Sequence, residues 1–295
     1  MEIPTATLDH SAVHSVEVRN KFIIRKVENE HGLVMIKMPR DPKHREDLRN
    51  EADWVKYVGS DIDTDAFSLP TIVDEDPEGK WLMYEWIGGQ ELDEIELGHS
   101  TLRMAQISAA VGHVSLGREG GDVQSWLMGR LNNFANQPAL SNLRPDRASA
   151  LEQLVSGRLV LPKIQSGMGH GDLKPENILT VGNEWFLIDA EFGTNINRPE
   201  WDKPRFHDAA YFYHLLHCQY RQPDLANAFY EELSPLVEMD PHTFRAEFAL
   251  SVVERTLSML SHFVTNRSTN KQVSDLRRVE PGPYIALIEK ELVYV

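Results

Sequence analysis

The sequence predicts an α+β protein of two unequal parts: a small antiparallel sheet with one helix, then a larger, mainly helical region. Three observations predict it. β-favouring residues dominate from Val16 to Met38, and turn residues cut them into short runs. Beyond Gly88–Gly89 apolar residues recur mostly at helical spacing. The length, 295 residues, suits two ordinary domains or one two-lobed unit with a substantial core. The expected parts are residues 1–88 and 89–295.

The elements follow in order. "KFIIRKV" (21–27) and "LVMIKM" (33–38) read as strands around an "ENEHG" turn, where Gly32 supplies positive φ. "DPKHREDLRNEADWVKYV" (41–58) reads as a helix with Asp41 as cap and Pro42 in the first turn. "DEDPEG" (74–79) is a turn, "KWLMYEWI" (80–87) a strand and "GGQ" (88–90) a break. Helices are expected at 100–117, with Ser100 as cap, at 147–155, and at 204–221, where the apolar content implies burial. "ILTV" (178–181) and "EWFLI" (184–188) form a hairpin around Gly182-Asn183. The tail from Asp224 is mostly helical, with 268–275 a loop.

Bulk properties exclude several classes. No apolar run reaches the roughly 18 residues of a membrane span. The first residues lack the basic start and apolar stretch of a signal peptide. Cys218 is the only cysteine, so an internal disulfide is impossible, which fits a reducing, cytoplasmic setting. The net charge of −15 and the lack of basic clusters argue against nucleic acid as partner. The acidity serves solubility, and its long-range field also favours a cationic substrate.

The stretch "MGHGDLKPENILTVGNEWFLIDAEFG" (168–193) carries the chemistry. Its hairpin brings Asn177, at the end of one strand, beside Asp189, at the end of the other. Asp172 precedes them in a loop stiffened by Pro175. Two neighbouring oxygen ligands and a third carboxylate suit Mg²⁺, which keeps waters and shares its shell with phosphate. Phosphoryl transfer needs that arrangement, with a separate carboxylate to accept the proton of the attacking hydroxyl. It also needs a cation on the nucleotide phosphates. Lys37 on its strand is the candidate, fixed by Glu51 on the following helix.

"HGDLKPENIL" with "LIDAEFG" resembles the catalytic and metal segments of the protein-kinase-like superfamily, most closely its aminoglycoside phosphotransferase and choline kinase branch. The resemblance covers about residues 16–220 and implies a bilobal kinase-like fold. It implies ATP as phosphate donor and Mg²⁺ as metal. Asp172 would be the catalytic base, and Asn177 and Asp189 the metal ligands. Lys37 would contact the α- and β-phosphates, paired with Glu51, and Lys174 would reach the γ-phosphate. The Glu85 carbonyl and Ile87 amide of "LMYEWIGG" would bind adenine, and Asp208 would brace the catalytic loop. The implied acceptor is a small-molecule hydroxyl. A Ser/Thr protein kinase, a nucleotide-binding scaffold without turnover, and transfer of AMP stay open.

There are departures. The segment expected to cover the phosphates, "LDHSAVHSVEV" (8–18), has no glycine. Asp208 follows Asp189 by only nineteen positions, which leaves little room for a regulated activation loop. "DEDPEGKWLMYE" (74–85) nearly fits a Ca²⁺ loop, but Pro77 and Glu78 are poor matches and "WLMYEW" reads as strand. His214, His217 and Cys218 share a helix face, where packing is the expected role.

Overall fold

The computed structural model describes residues 12–62, 65–92, 98, 100–114, 122–159, 161, 163–195, 197–198, 202–269 and 280–295, with only the backbone for 263–269. The chain divides into two compact units, Met1–Asp93 with His170–Asn197, and Glu94–Gly169 with Arg198–Val295.

The first unit holds β1 (Ala12–Val18), β2 (Phe22–Asn29), β3 (Gly32–Pro39), α1 (Arg45–Asp61), β4 (Ile72–Glu75), β5 (Leu82–Glu85) and β6 (Gln90–Glu91). Five of the strands form one antiparallel sheet in the order β1-β2-β3-β5-β4. The β2–β3 turn is tighter than its sequence suggests: Asn29 pairs with Gly32, and Gly32 takes φ +90°. Most of the glycine-free segment 8–18 is not a loop, since residues 12–18 are β1 and the turn falls at 19–21. Residues 8–11 lie outside the described residues.

Strand alternation sorts side chains to the two faces of the sheet. Val34, Ile36 and Met38 pack on one face with Val27 and Met83. Met35 packs on the other with Phe22, Leu82, Tyr84 and the α1 residues Leu48 and Ala52. Lys37 shares the parity of Met35 and so faces α1. The helix starts with a 3₁₀ turn, Pro42–His44, which Asp41 caps by accepting from the Lys43 amide (3.0 Å); α1 itself follows from Arg45 with no side-chain cap. Residues 74–85 are a β4–β5 hairpin and not a Ca²⁺ loop. Asp76 Oδ1 accepts the amides of Glu78 and Lys80 (2.9 and 3.1 Å), and Gly79 takes φ +71°.

In the second unit, α2 (Thr101–His113), α3 (Val123–Phe134) and α4 (Pro145–Val155) precede the short strand β7 (Ser166–Gly167). Ser100 stands before α2 but makes no side-chain cap. The first unit resumes with β8 (Ile178–Val181) and β9 (Glu184–Leu187), which join β6 in the order β6-β8-β9. Gly182 provides the turn at φ +59°. The second unit ends with β10 (Lys203–Pro204), α5 (His207–His214), α6 (Pro223–Leu233), α7 (Pro241–Thr269) and α8 (Gly282–Glu291). The helix expected at 204–221 is α5 followed by one π-helical turn, Leu215–Gln219. Its core is aromatic, with Phe212 edge-on to Phe229 and Phe206 edge-on to Phe244, both at 5.0 Å.

His214 and Cys218 are packed groups. His214 Nδ1 lies 3.1 Å from Thr256 Oγ1, and the Cys218 thiol points at the Pro283 carbonyl (3.6 Å). Burial pushes His214 down to about 3 and the Cys218 thiol upward, so neither ionises near neutral pH. No described helix is long and apolar enough to cross a membrane.

Candidate active site

The first unit brings Lys37, Glu51 and Asp189 together. Lys37 Nζ donates to Glu51 (2.6 Å) and to Asp189 (2.7 Å). Lys37 and Glu51 are each 2% exposed. The Tyr84 hydroxyl donates to the other Glu51 oxygen (3.0 Å). Burial works against the Lys37 ammonium, but the two carboxylates outweigh it and push its pKa up, so Lys37 stays charged. Burial also raises Glu51, against the pull of Lys37. For Asp189 burial is again the largest effect, but Lys37 and then Arg19 overcome it and hold the carboxyl below its ordinary range.

The β8–β9 hairpin sets the second half of the site. Ile178 pairs with Leu187, and the Ile188 amide donates to the Asn177 carbonyl (2.9 Å). Asp189 is therefore one residue beyond the position opposite Asn177. Its backbone is left-handed at φ +62°, which costs an L-residue about 1–2 kcal/mol and turns the chain sharply there. Asn177 Nδ2 donates to the Asp172 carbonyl (2.8 Å) and to Asp172 Oδ2 (3.1 Å), which directs Asn177 Oδ1 away from that loop. Lys174 Nζ lies 2.8 Å from Asp172 Oδ2. The structure links these residues in two groups, Lys37–Glu51–Asp189 and Asp172–Lys174–Asn177, whereas the sequence paired Lys37 with Glu51 and Asn177 with Asp189. Asp208 is buried in the first turn of α5, in the other unit.

His170, Asn50, Trp54 and Gly171 join this site without a sequence signal of their own. His170 Nε2 faces the Ile188 carbonyl (2.9 Å) and must be the donor, and its Nδ1 accepts the Asp172 amide (3.4 Å). Asn50 Nδ2 donates to the carbonyls of Glu191 and Gly193 (3.2 and 2.9 Å). Trp54 meets His170 edge-on at 5.3 Å. Helix α1 thus positions Lys37, the segment after Asp189 and the loop before Asp172 through Glu51, Asn50 and Trp54. Gly171 takes φ +85°, and a Cβ there would lie 2.1 Å from the Phe192 carbonyl oxygen.

A cavity of about 240 Å³ opens beside these groups, with Ile24, Met35, Tyr84, Leu179 and Ile188 among its apolar lining residues. Glu85, Trp86 and Ile87 line it as well. The Trp86 amide donates to the Leu33 carbonyl (2.9 Å) on β3, so alternation turns the Glu85 carbonyl to the opposite edge. The donor set fits a hard cation: Asn177 offers an amide oxygen and Asp189 a carboxylate. Among the described residues no group of three or more His, Cys, Asp or Glu side chains could form a metal cage. Two protein oxygens completed by phosphate and water is the pattern Mg²⁺ takes.

No protein-family model matches the sequence, and comparison with curated proteins found no significant match. Solved structures do match over nearly the whole chain. A GDP and kanamycin complex of APH(2")-IIia aligns with a TM-score of 0.62 at 15% identity, covering 98% of this chain and 96% of that one. The chain has the fold of the aminoglycoside phosphotransferases and choline kinases. The choline kinase LicA from Streptococcus pneumoniae aligns with a TM-score of 0.56 at 15% identity, covering 96% and 94%. A thermostable mutant of aminoglycoside phosphotransferase APH(4)-Ia, in ternary complex with ADP and hygromycin B, gives 0.55 at 10% identity, covering 96% and 95%. These neighbours are named as aminoglycoside phosphotransferases or as a choline kinase.

Proposed function

We propose that the protein is an ATP-dependent phosphotransferase that moves the γ-phosphate to a hydroxyl of a small molecule. The observation that carries this reading is the linked polar set: buried Lys37 on Glu51 and Asp189, and Asp172 tied to Asn177 and Lys174. A nucleotide-binding scaffold needs the lysines and the metal ligands but not a carboxylate placed as Asp172 is. The solved neighbours bind GDP or ADP together with kanamycin or hygromycin B, or are named for choline, which supports a small acceptor over a protein. Amines of that kind are cationic, and the net charge of −15 favours them.

The residues divide the work. The Glu85 carbonyl and Ile87 amide take the adenine edge in the cavity. Lys37 meets the α- and β-phosphates, held in place by Glu51. Asn177 and Asp189 would hold Mg²⁺, which when bound neutralises charge on the β- and γ-phosphate oxygens. Asp172, oriented through Oδ2 by Lys174 and Asn177, offers Oδ1 to the acceptor hydroxyl. The hydroxyl oxygen bonds to the γ-phosphorus as the bond from that phosphorus to the β,γ-bridging oxygen breaks. ADP leaves with the electron pair, and the hydroxyl proton passes to Asp172. Lys174 reaches the γ-phosphate.

Asp172→Ala tests the division. It should lower turnover by about two to four decades, the usual worth of a general base, and leave Mg·ATP affinity nearly unchanged. Equal turnover in variant and wild type would remove Asp172 from the chemistry.

A further inference from the structure

Lys174 and Mg²⁺ leave one contact of the terminal phosphates unassigned, the one a covering loop makes. In a glycine-rich loop, backbone amides make it. The β1–β2 turn here is Arg19–Asn20–Lys21, with no glycine. The Arg19 amide and the turn's three carbonyls are already committed. The Arg19 amide donates to the Phe22 carbonyl (2.9 Å), and Arg40 Nη1 donates to the carbonyls of Arg19 and Asn20 (3.2 and 3.3 Å). The Arg40 amide donates to the Lys21 carbonyl (2.8 Å). The turn is thus pinned to the end of β3.

Its two cations differ. Lys21 Nζ is spent on Asp47 (3.2 Å) and Glu191 (3.1 Å), over the Phe192 ring at 4.0 Å. Arg19 lines the cavity. Glu17 accepts from its Nε (2.8 Å) and Nη2 (3.4 Å), which fixes the plane of the guanidinium. Nη1 lies 3.6 Å from Asp189 Oδ2, outside hydrogen-bond range, with the side chain 45% exposed. Lys37 already serves two carboxylates. Arg19 therefore has the guanidinium edge beside Asp189 that is least committed, and it carries a fixed charge.

Resting on the nucleotide reading above, we propose that Arg19 is a phosphate ligand. Its Nη1 edge donates to terminal phosphate oxygens of the bound nucleotide, a side chain replacing the backbone amides of a glycine-rich loop. Glu17 is a positioning residue that holds the guanidinium toward Asp189.

The test is calorimetric binding of adenosine, ADP and ATP, each with Mg²⁺, to wild type, Arg19→Ala and Arg19→Lys. A charge-assisted hydrogen bond to phosphate predicts that Arg19→Ala weakens ATP by about ten- to a hundredfold. Adenosine, which has no phosphate, should stay within about twofold. Arg19→Lys should recover part of the loss, which a merely folded-state defect would not predict. Unchanged ATP affinity in Arg19→Ala, or an equal loss for adenosine, would overturn the proposal and leave the nucleotide reading standing. Wild type that binds none of the three would overturn both.

Discussion

Lys37→Met removes the ammonium at the centre of the buried network while keeping a side chain of similar length. Glu51, 2% exposed, then keeps, among the described residues, the Tyr84 hydroxyl at 3.0 Å as its side-chain partner. Removing one partner of a buried ion pair costs about 3–5 kcal/mol, a large share of the roughly 5–15 kcal/mol that holds a protein folded. Glu51 can escape part of that cost by binding a proton. Burial already pushes its carboxyl up, with Lys37 as the main opposing charge, so the variant's folded pKa rises further above the unfolded value of about 4.3. The folded variant then holds a proton that the unfolded chain releases, and its stability falls as pH rises, by about 1.4 kcal/mol per unit until the folded pKa is passed. From pH 5 to pH 7 the deficit against wild type should widen, because Lys37 holds the wild-type carboxyl lower than the variant's. Urea unfolding of both proteins at the two pH values measures it. A deficit below about 1 kcal/mol, or one equal at both pH values, would refute the buried pair.

Two further changes probe other parts. Gly171→Ala puts a Cβ at φ +85° against the Phe192 carbonyl, so it should cost about 2 kcal/mol or more, lower Tm by several degrees and impair turnover. In the second unit, burial pushes Glu247 on α7 up to about 7, with the Gln165 amide and Arg205 pulling weakly against it. Its folded pKa exceeds the unfolded value, so the penalty is absent near pH 4 and complete above pH 7. Glu247→Gln should match wild type at pH 4.5 and be more stable by about 1–2 kcal/mol at pH 8 in denaturant melts.

What sequence could convey was local chemistry with a period. The Gly182-Asn183 turn fixed the β8–β9 register and therefore the nearness of Asn177 and Asp189. The parity of Met35 and Lys37 on β3, and the helical spacing of Leu48, Glu51 and Ala52, put Lys37 and Glu51 face to face. β1 was hidden because every residue in it is exposed, so its alternation marks no buried face, and pairing with β2 alone makes it a strand. β4 is four residues with two acids, too short for a period. The left-handed backbone of Asp189 has no residue signature, since glycine is absent there. The approach of Arg19 to Asp189 spans 170 positions and depends on where the β1–β2 turn ends, which only the assembled sheet decides.

The central claim is phosphoryl transfer to a small molecule, and one measurement addresses it most directly. Wild type is incubated with Mg²⁺ and either γ-labelled or α-labelled ATP, against a panel of aminoglycosides, choline-like amines, sugars and nucleosides. The account predicts γ-label on one class of small hydroxyl compound, with cationic members favoured, and no transfer of α-label. Label from the α-position on the acceptor, γ-label on protein alone, or tight Mg·ATP binding without any transfer would contradict it.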